Sequence, residues 1–169
     1  MKRLLTLIIG LAIVAATAYA EHFKFMGITM DGDLATFEKG LLAKGFTPQE
    51  DCEDNTPTFI FYEGTFHGQD VRLGVRLTPK SKKVANLSIF YKIDLGEDTN
   101  ATELEHLSST IKSRYNVDKI TSKYEGEIVY HYVNNYTGCI ALHYVSPIVI
   151  TYFDMENHNL YNSECEEDI

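Results

Sequence analysis

Thr58–Tyr91, TFIFYEGTFHGQDVRLGVRLTPKSKKVANLSIFY, decides the fold. Val71, Leu73, Val75 and Leu77 alternate with Arg72, Gly74, Arg76 and Thr78. That period of two places one set of side chains on a core face and the other outside. Thr58–Phe66 reads as a strand before it, and Val84–Leu95 as a strand after it. His67-Gly68 is a two-residue hairpin turn, because glycine accepts the positive φ such turns demand. Pro79–Lys83 is the second turn. Connections this short cannot make parallel crossovers, so the stretch is an antiparallel meander.

Helices and further strands flank the meander. Upstream, His22–Ile28 alternates as a short strand. Leu34, Phe37 and Leu41 then recur at helical spacing, with Asp33 as N-cap and Gly45 just past the end. A helix over Leu34–Lys44 is predicted, then a polar loop over Thr47–Pro57. Downstream, Thr102-Glu103-Leu104-Glu105 has the form of a capping box. Leu104, Leu107, Ile111 and Tyr115 continue it as one face of a helix over Glu103–Tyr115. Strands are predicted over Glu127–Tyr136, Cys139–Val145 and Ile148–Phe153, with a last short one over His158–Tyr161.

The pattern restarts at an offset of 70 residues: Leu34, Phe37 and Leu41 align with Leu104, Leu107 and Ile111, and Tyr62 with Tyr132. Two β-α-β-β-β units, about residues 22–91 and 92–161, are expected in one α+β domain spanning 21–169. The expected fold is an antiparallel sheet with two helices on one face and the other face partly open.

The first 20 residues read as an export signal. Met1-Lys2-Arg3 precedes an apolar run from Leu4 to Ala16, and Ala18-Tyr19-Ala20 suits a cleavage site before Glu21. A periplasmic or secreted location is expected, with no integral membrane span after cleavage. The chain carries 15 basic against 24 acidic side chains, a net charge of −9. Such a surface repels phosphate backbones, which argues against nucleic acid as a partner.

Chemistry-bearing motifs are sparse. The six histidines form no H-x-x-x-H or H-E-x-x-H, so no zinc site is expected. Asp31-Gly32-Asp33 and Asp154-Met155-Glu156-Asn157 lack the EF-hand spacing. Phosphate-cradling glycine loops and the G-x-S-x-G elbow are missing, and no motif calls for a cofactor. Cys52, Cys139 and Cys165 allow one disulfide and a leftover thiol, in any of three pairings. Tyr130, Tyr132, Tyr144 and Tyr152 lie on strands of the second unit, and tyrosine suits recognition surfaces. These four are the candidate ligand-binding residues, with an envelope protein or a glycan as partner. The function expected is a non-catalytic exported binding or inhibitor-like module. The alternative is a small extracytoplasmic hydrolase using acidic residues or Cys52.

FKFMGI at Phe23–Ile28, Asp31-Gly32, Lys44-Gly45-Phe46, EGTFHG at Glu63–Gly68 and YFDMEN at Tyr152–Asn157 together resemble small exported proteins of Bacteroides- and Prevotella-type bacteria. That resemblance implies export and no particular activity. The doubled helix-plus-meander plan is also similar in architecture to the β-lactamase-inhibitor-protein type of fold. This chain has no cysteine pair in each unit, unlike that inhibitor.

Overall fold

The computed structural model describes residues 22–93, 96–124 and 127–166. Residues 1–20, read from the sequence as an export signal, lie outside the described residues. The fold is α+β: an antiparallel sheet of eight strands, a two-stranded hairpin and three helices. In chain order these are β1 (Lys24–Phe25), β2 (Ile28–Thr29), α1 (Leu34–Ala43), β3 (Thr47–Pro48), β4 (Phe59–Phe66), β5 (Gln69–Leu77) and β6 (Val84–Tyr91). Then come α2 (Glu97–Arg114), β7 (Val117–Lys123), β8 (Ile128–Val133), β9 (Gly138–His143), β10 (Val149–Asp154) and α3 (Met155–Glu166). The strand order is β3-β4-β5-β6-β10-β9-β8-β7. Two four-stranded meanders thus meet edge to edge at the antiparallel β6–β10 pair.

The quoted stretch forms β4, β5 and β6 as expected. Phe66 pairs with Gln69 around His67-Gly68, whose φ angles of 49° and 78° are those of a type I′ turn. Residues directly opposite across a ladder share a face. Tyr62, Leu73, Ile89, Ile150 and Leu142 therefore form one continuous inner row. All five are buried in the single core cluster. Phe37 and Leu41 of α1 and Leu104, Leu107 and Ile111 of α2 join that cluster, so both expected helices cover the inner face. Asp33 caps α1 by accepting from the Thr36 N–H at 2.9 Å, and Gly45 follows the helix with φ of 86°.

Several elements differ from the sequence reading. His22–Ile28 is not one strand. Met26-Gly27, with φ of 50° and 83°, folds it back into the β1–β2 hairpin. β6 stops at Tyr91 rather than Leu95, and Leu95 itself lies outside the described residues. α2 starts at Glu97, so the supposed capping box is inside the helix. There the Thr102 hydroxyl donates to the Asp98 carbonyl at 3.0 Å instead of capping an end. β7 was not expected. His158–Tyr161 is helical, because Asp154 accepts from the Asn157 N–H at 2.9 Å and starts α3 as its N-cap. That role replaces the calcium-loop reading considered for Asp154–Asn157.

α3 returns across the outer face. Its Tyr161 hydroxyl accepts from Arg76 Nη1 at 3.2 Å, and the His158 ring meets Phe153 edge-on at 4.9 Å. Arg76 and Phe153 both point outward, since each pairs with Asn86. The remaining outer surface carries Phe61, Phe90, Ser88, Thr151, Ala141 and Tyr130 in adjoining registers.

A buried polar hub locks the start of the described chain to α3. Asp154 is fully buried, and its Oδ2 accepts from the Phe23 N–H at 2.8 Å and contacts His22 Nδ1 at 3.0 Å. Asn157 Nδ2 donates to the carbonyls of Met30 and Val84. Above the hub Phe23 lies flat on Gly138, where a Cβ would come within 2.2 Å of the ring. Only glycine gives the ring that seat.

Candidate functional site

The four candidate tyrosines do not share a surface. Tyr130 and Tyr132 are two apart on β8 and face outward, opposite Ala141 and Cys139. Tyr144 lies beyond the end of β9 and is exposed. Tyr152 points inward, 7 % exposed, among Phe23, Phe25 and Phe66.

Cys52, Cys139 and Cys165 are all free thiols. The Cys52 sulfur accepts from Arg72 Nη2 at 2.6 Å, and the same nitrogen reaches Asp54 at 2.7 Å. Arg72 in turn lies over the Phe61 ring at 3.6 Å. No histidine is among these neighbours of Cys52, so a thiol–imidazole pair is not what the fold assembles there. His131 and His143 face opposite sides of the sheet: His131 opposes Ile140 and binds Ser108 of α2 at 3.0 Å. His143 opposes Val149, and a chain of contacts runs Ser88–Thr151–His143 at 3.1 and 3.3 Å. Among the described residues no carboxylate orients that imidazole, so a hydrolase triad is incomplete.

Tyr152 leads instead to a cavity the sequence reading did not identify. About 290 Å³ of space lies between the inner face, α2 and two turns. Leu142, Ile150 and Tyr152 form the floor, with Leu107, Ile111 and Arg114 of α2 on one side. Phe25 and Met26 of the first hairpin and Phe66 and His67 of the β4–β5 turn close the other. Its size is at the small end of the roughly 300–1,000 Å³ typical of ligand pockets. The lining pattern is also typical: aliphatic and aromatic walls with a few polar groups.

Three observations bear on what the cavity accepts. Arg114 makes no ion pair among the described residues and stands exposed at the cavity's rim. Burial, and then the Arg114 charge, push the His67 pKa down, so His67 is neutral near pH 7. Burial likewise pushes the Tyr152 and Tyr115 hydroxyls up, leaving them as neutral donors. Arg114 and Tyr115 also border a second, polar recess of about 450 Å³, shared with Lys24, Asn116, Asn134, Asn135 and Thr137. An apolar chamber thus adjoins a polar one, with Arg114 and Tyr115 lining both.

The rim is built at some conformational cost. Met26 and His67 both have positive φ, which non-glycine residues avoid. Each is followed by a glycine that accepts the same region cheaply. Both pairs are the two-residue turns that close the β1–β2 and β4–β5 hairpins, which fixes Met26 and His67 at the rim. That repeated bulky-residue–Gly pair was the one local signal in the sequence. The chain matches no family model, no curated protein and no solved structure.

Proposed function

We propose that this chain is an exported, non-catalytic binding module whose cavity holds a small amphipathic anion. The ligand's apolar body would occupy the chamber above Ile150, its negative group would meet Arg114, and polar substituents would reach toward Asn116 and Asn134. The observation that carries this reading is the cation without a partner ion at the junction of an apolar and a polar chamber. An exposed guanidinium at the mouth of an apolar cavity can anchor a ligand's carboxylate through paired N–H donors while the ligand's body enters the cavity. Export rests on the charged, apolar and A-x-A pattern of residues 1–20. The strand order, mirrored about the β6–β10 pair, gives each half a helix followed by four strands, which supports an internal duplication with an α-β-β-β-β plan in place of β-α-β-β-β.

Decanoate is a suitable probe, with decanol as its uncharged counterpart. Calorimetric titration is expected to give one decanoate per chain and clearly weaker decanol binding. Arg114→Met should weaken decanoate roughly 10- to 100-fold, since a hydrogen bond to a charged group contributes about 1.5–3 kcal/mol. The same substitution should leave decanol nearly unchanged. Equal loss for both probes, or no saturable decanoate binding, would remove Arg114 from ligand recognition.

A further inference from the structure

On the opposite face a smaller recess of about 60 Å³ is lined by Cys139, Met155, His158, Tyr130, Tyr132 and Phe153. The volume exceeds the ~30 Å³ share of one water and falls far below any organic-ligand pocket. It suits a single ion. Met155 and His158 are three apart on α3 and so lie on one side of the helix. Cys139 faces outward on β9 beneath them, a free thiol only 2 % exposed. His158 Nδ1 is buried and has no hydrogen-bond partner. A buried ring nitrogen left without a partner calls for an explanation, and a bound cation supplies one.

We propose that Cys139, Met155 and His158 form a site for a soft monovalent cation, copper(I) by its chemistry. Thiolate, thioether and imidazole are the donor set that selects copper(I) over harder ions. Among the described residues no three His, Cys, Asp or Glu side chains are grouped to hold a metal. The third donor here is a methionine, and zinc and calcium seldom use one. Charge points the same way. Lys123 lies 5.5 Å from the Tyr130 ring centre, and the positive end of the α3 dipole is adjacent. A divalent ion on one thiolate would leave a net positive charge there, whereas copper(I) on one thiolate is neutral. Binding forms the Cu–S bond and releases the thiol proton to solvent, with no change of oxidation state. Because that proton must leave, affinity is expected to rise with pH. The site is independent of the anion cavity on the other face.

The test uses the chain with Cys52→Ser and Cys165→Ser, so that Cys139 is the one remaining thiol. Copper(I) is titrated anaerobically against a chromophoric chelator, with the Met155 methyl resonance followed in parallel. One equivalent is expected to bind and to shift that methyl. Cys139→Ser, Met155→Ile and His158→Gln should each weaken capture at least about tenfold, because losing even an outer-shell partner costs about 10–100-fold. Met155→Ile keeps the apolar packing. No shift of the Met155 methyl, or capture by the three variants as strong as by the parent, would overturn the site.

Discussion

At the scale of single residues, Asp154 does the most varied work. One carboxylate caps α3, holds the Phe23 N–H and meets His22. Asp154→Ala removes a helix cap, worth about 1 kcal/mol, and strands a buried N–H, worth about 1–3 kcal/mol. Urea unfolding is expected to show a loss of roughly 2–4 kcal/mol. A loss below about 0.5 kcal/mol, the range of ordinary surface substitutions, would mean the hub does not hold the fold. The residue scale also separates what the sequence disclosed from what it hid. Asp33 and Gly45 announce their roles through local spacing, and both hold them. Asp154 has the same Asx-type signal, but it follows a strand rich in Tyr and Phe. The strand pattern outweighs one capping residue until the chain's turn onto the outer face is seen. Tyr152 shows the complementary limit: the period of two separates inside from outside, yet only register shows which set is which.

At the scale of elements, α3 and the β5–β6 turn stabilise one another. Glu164 is buried, and its carboxylate accepts from the Lys80 N–H at 2.6 Å and the Ser81 N–H at 3.2 Å. Hydrogen bonding from Ser81, then from the Lys80 N–H, holds its pKa below the usual 4.5. A carboxyl depressed in the folded state contributes stability that is complete above its unfolded pKa. That contribution is lost as pH falls through the lower folded value. Amide protection at Ser81, measured against the intrinsic exchange rate at each pH, should therefore be high at neutral pH and fall selectively below about 4.5. Glu164→Gln should remove that acid step. An acid step of the same size in the variant would assign it elsewhere. β7 illustrates why some elements were not legible. Its sequence VDKITSK is polar at five of seven positions and carries two lysines, as suits an edge strand with one unpaired side. Such strands are recruited by a neighbour, here β8, rather than by their own alternation. The meander β4–β6 needed no such help, because both its turns and its period agree.

At the scale of the whole molecule, the sheet divides the protein into two chemical halves. α1, α2 and the first hairpin close the inner side and leave an apolar chamber beneath Arg114. α3 covers part of the outer side and leaves a sulfur-lined recess beside Tyr130 and Tyr132. The antiparallel sheet, the two inner helices and the partly open outer face followed from patterning alone. Neither recess did, because each draws residues from elements far apart in sequence: Met26, His67, Arg114 and Ile150 in one, Cys139 and His158 in the other. The central claim is that the inner chamber, and not the outer face, receives an amphipathic anion. Methyl NMR during decanoate titration tests it most directly, since the two faces carry different methyl groups. The expected result is saturable shifts at Leu107, Ile111, Leu142 and Ile150, with Ile128 and Val149 unmoved. Shifts confined to Ile128 and Val149, with the inner methyls unmoved, would contradict it.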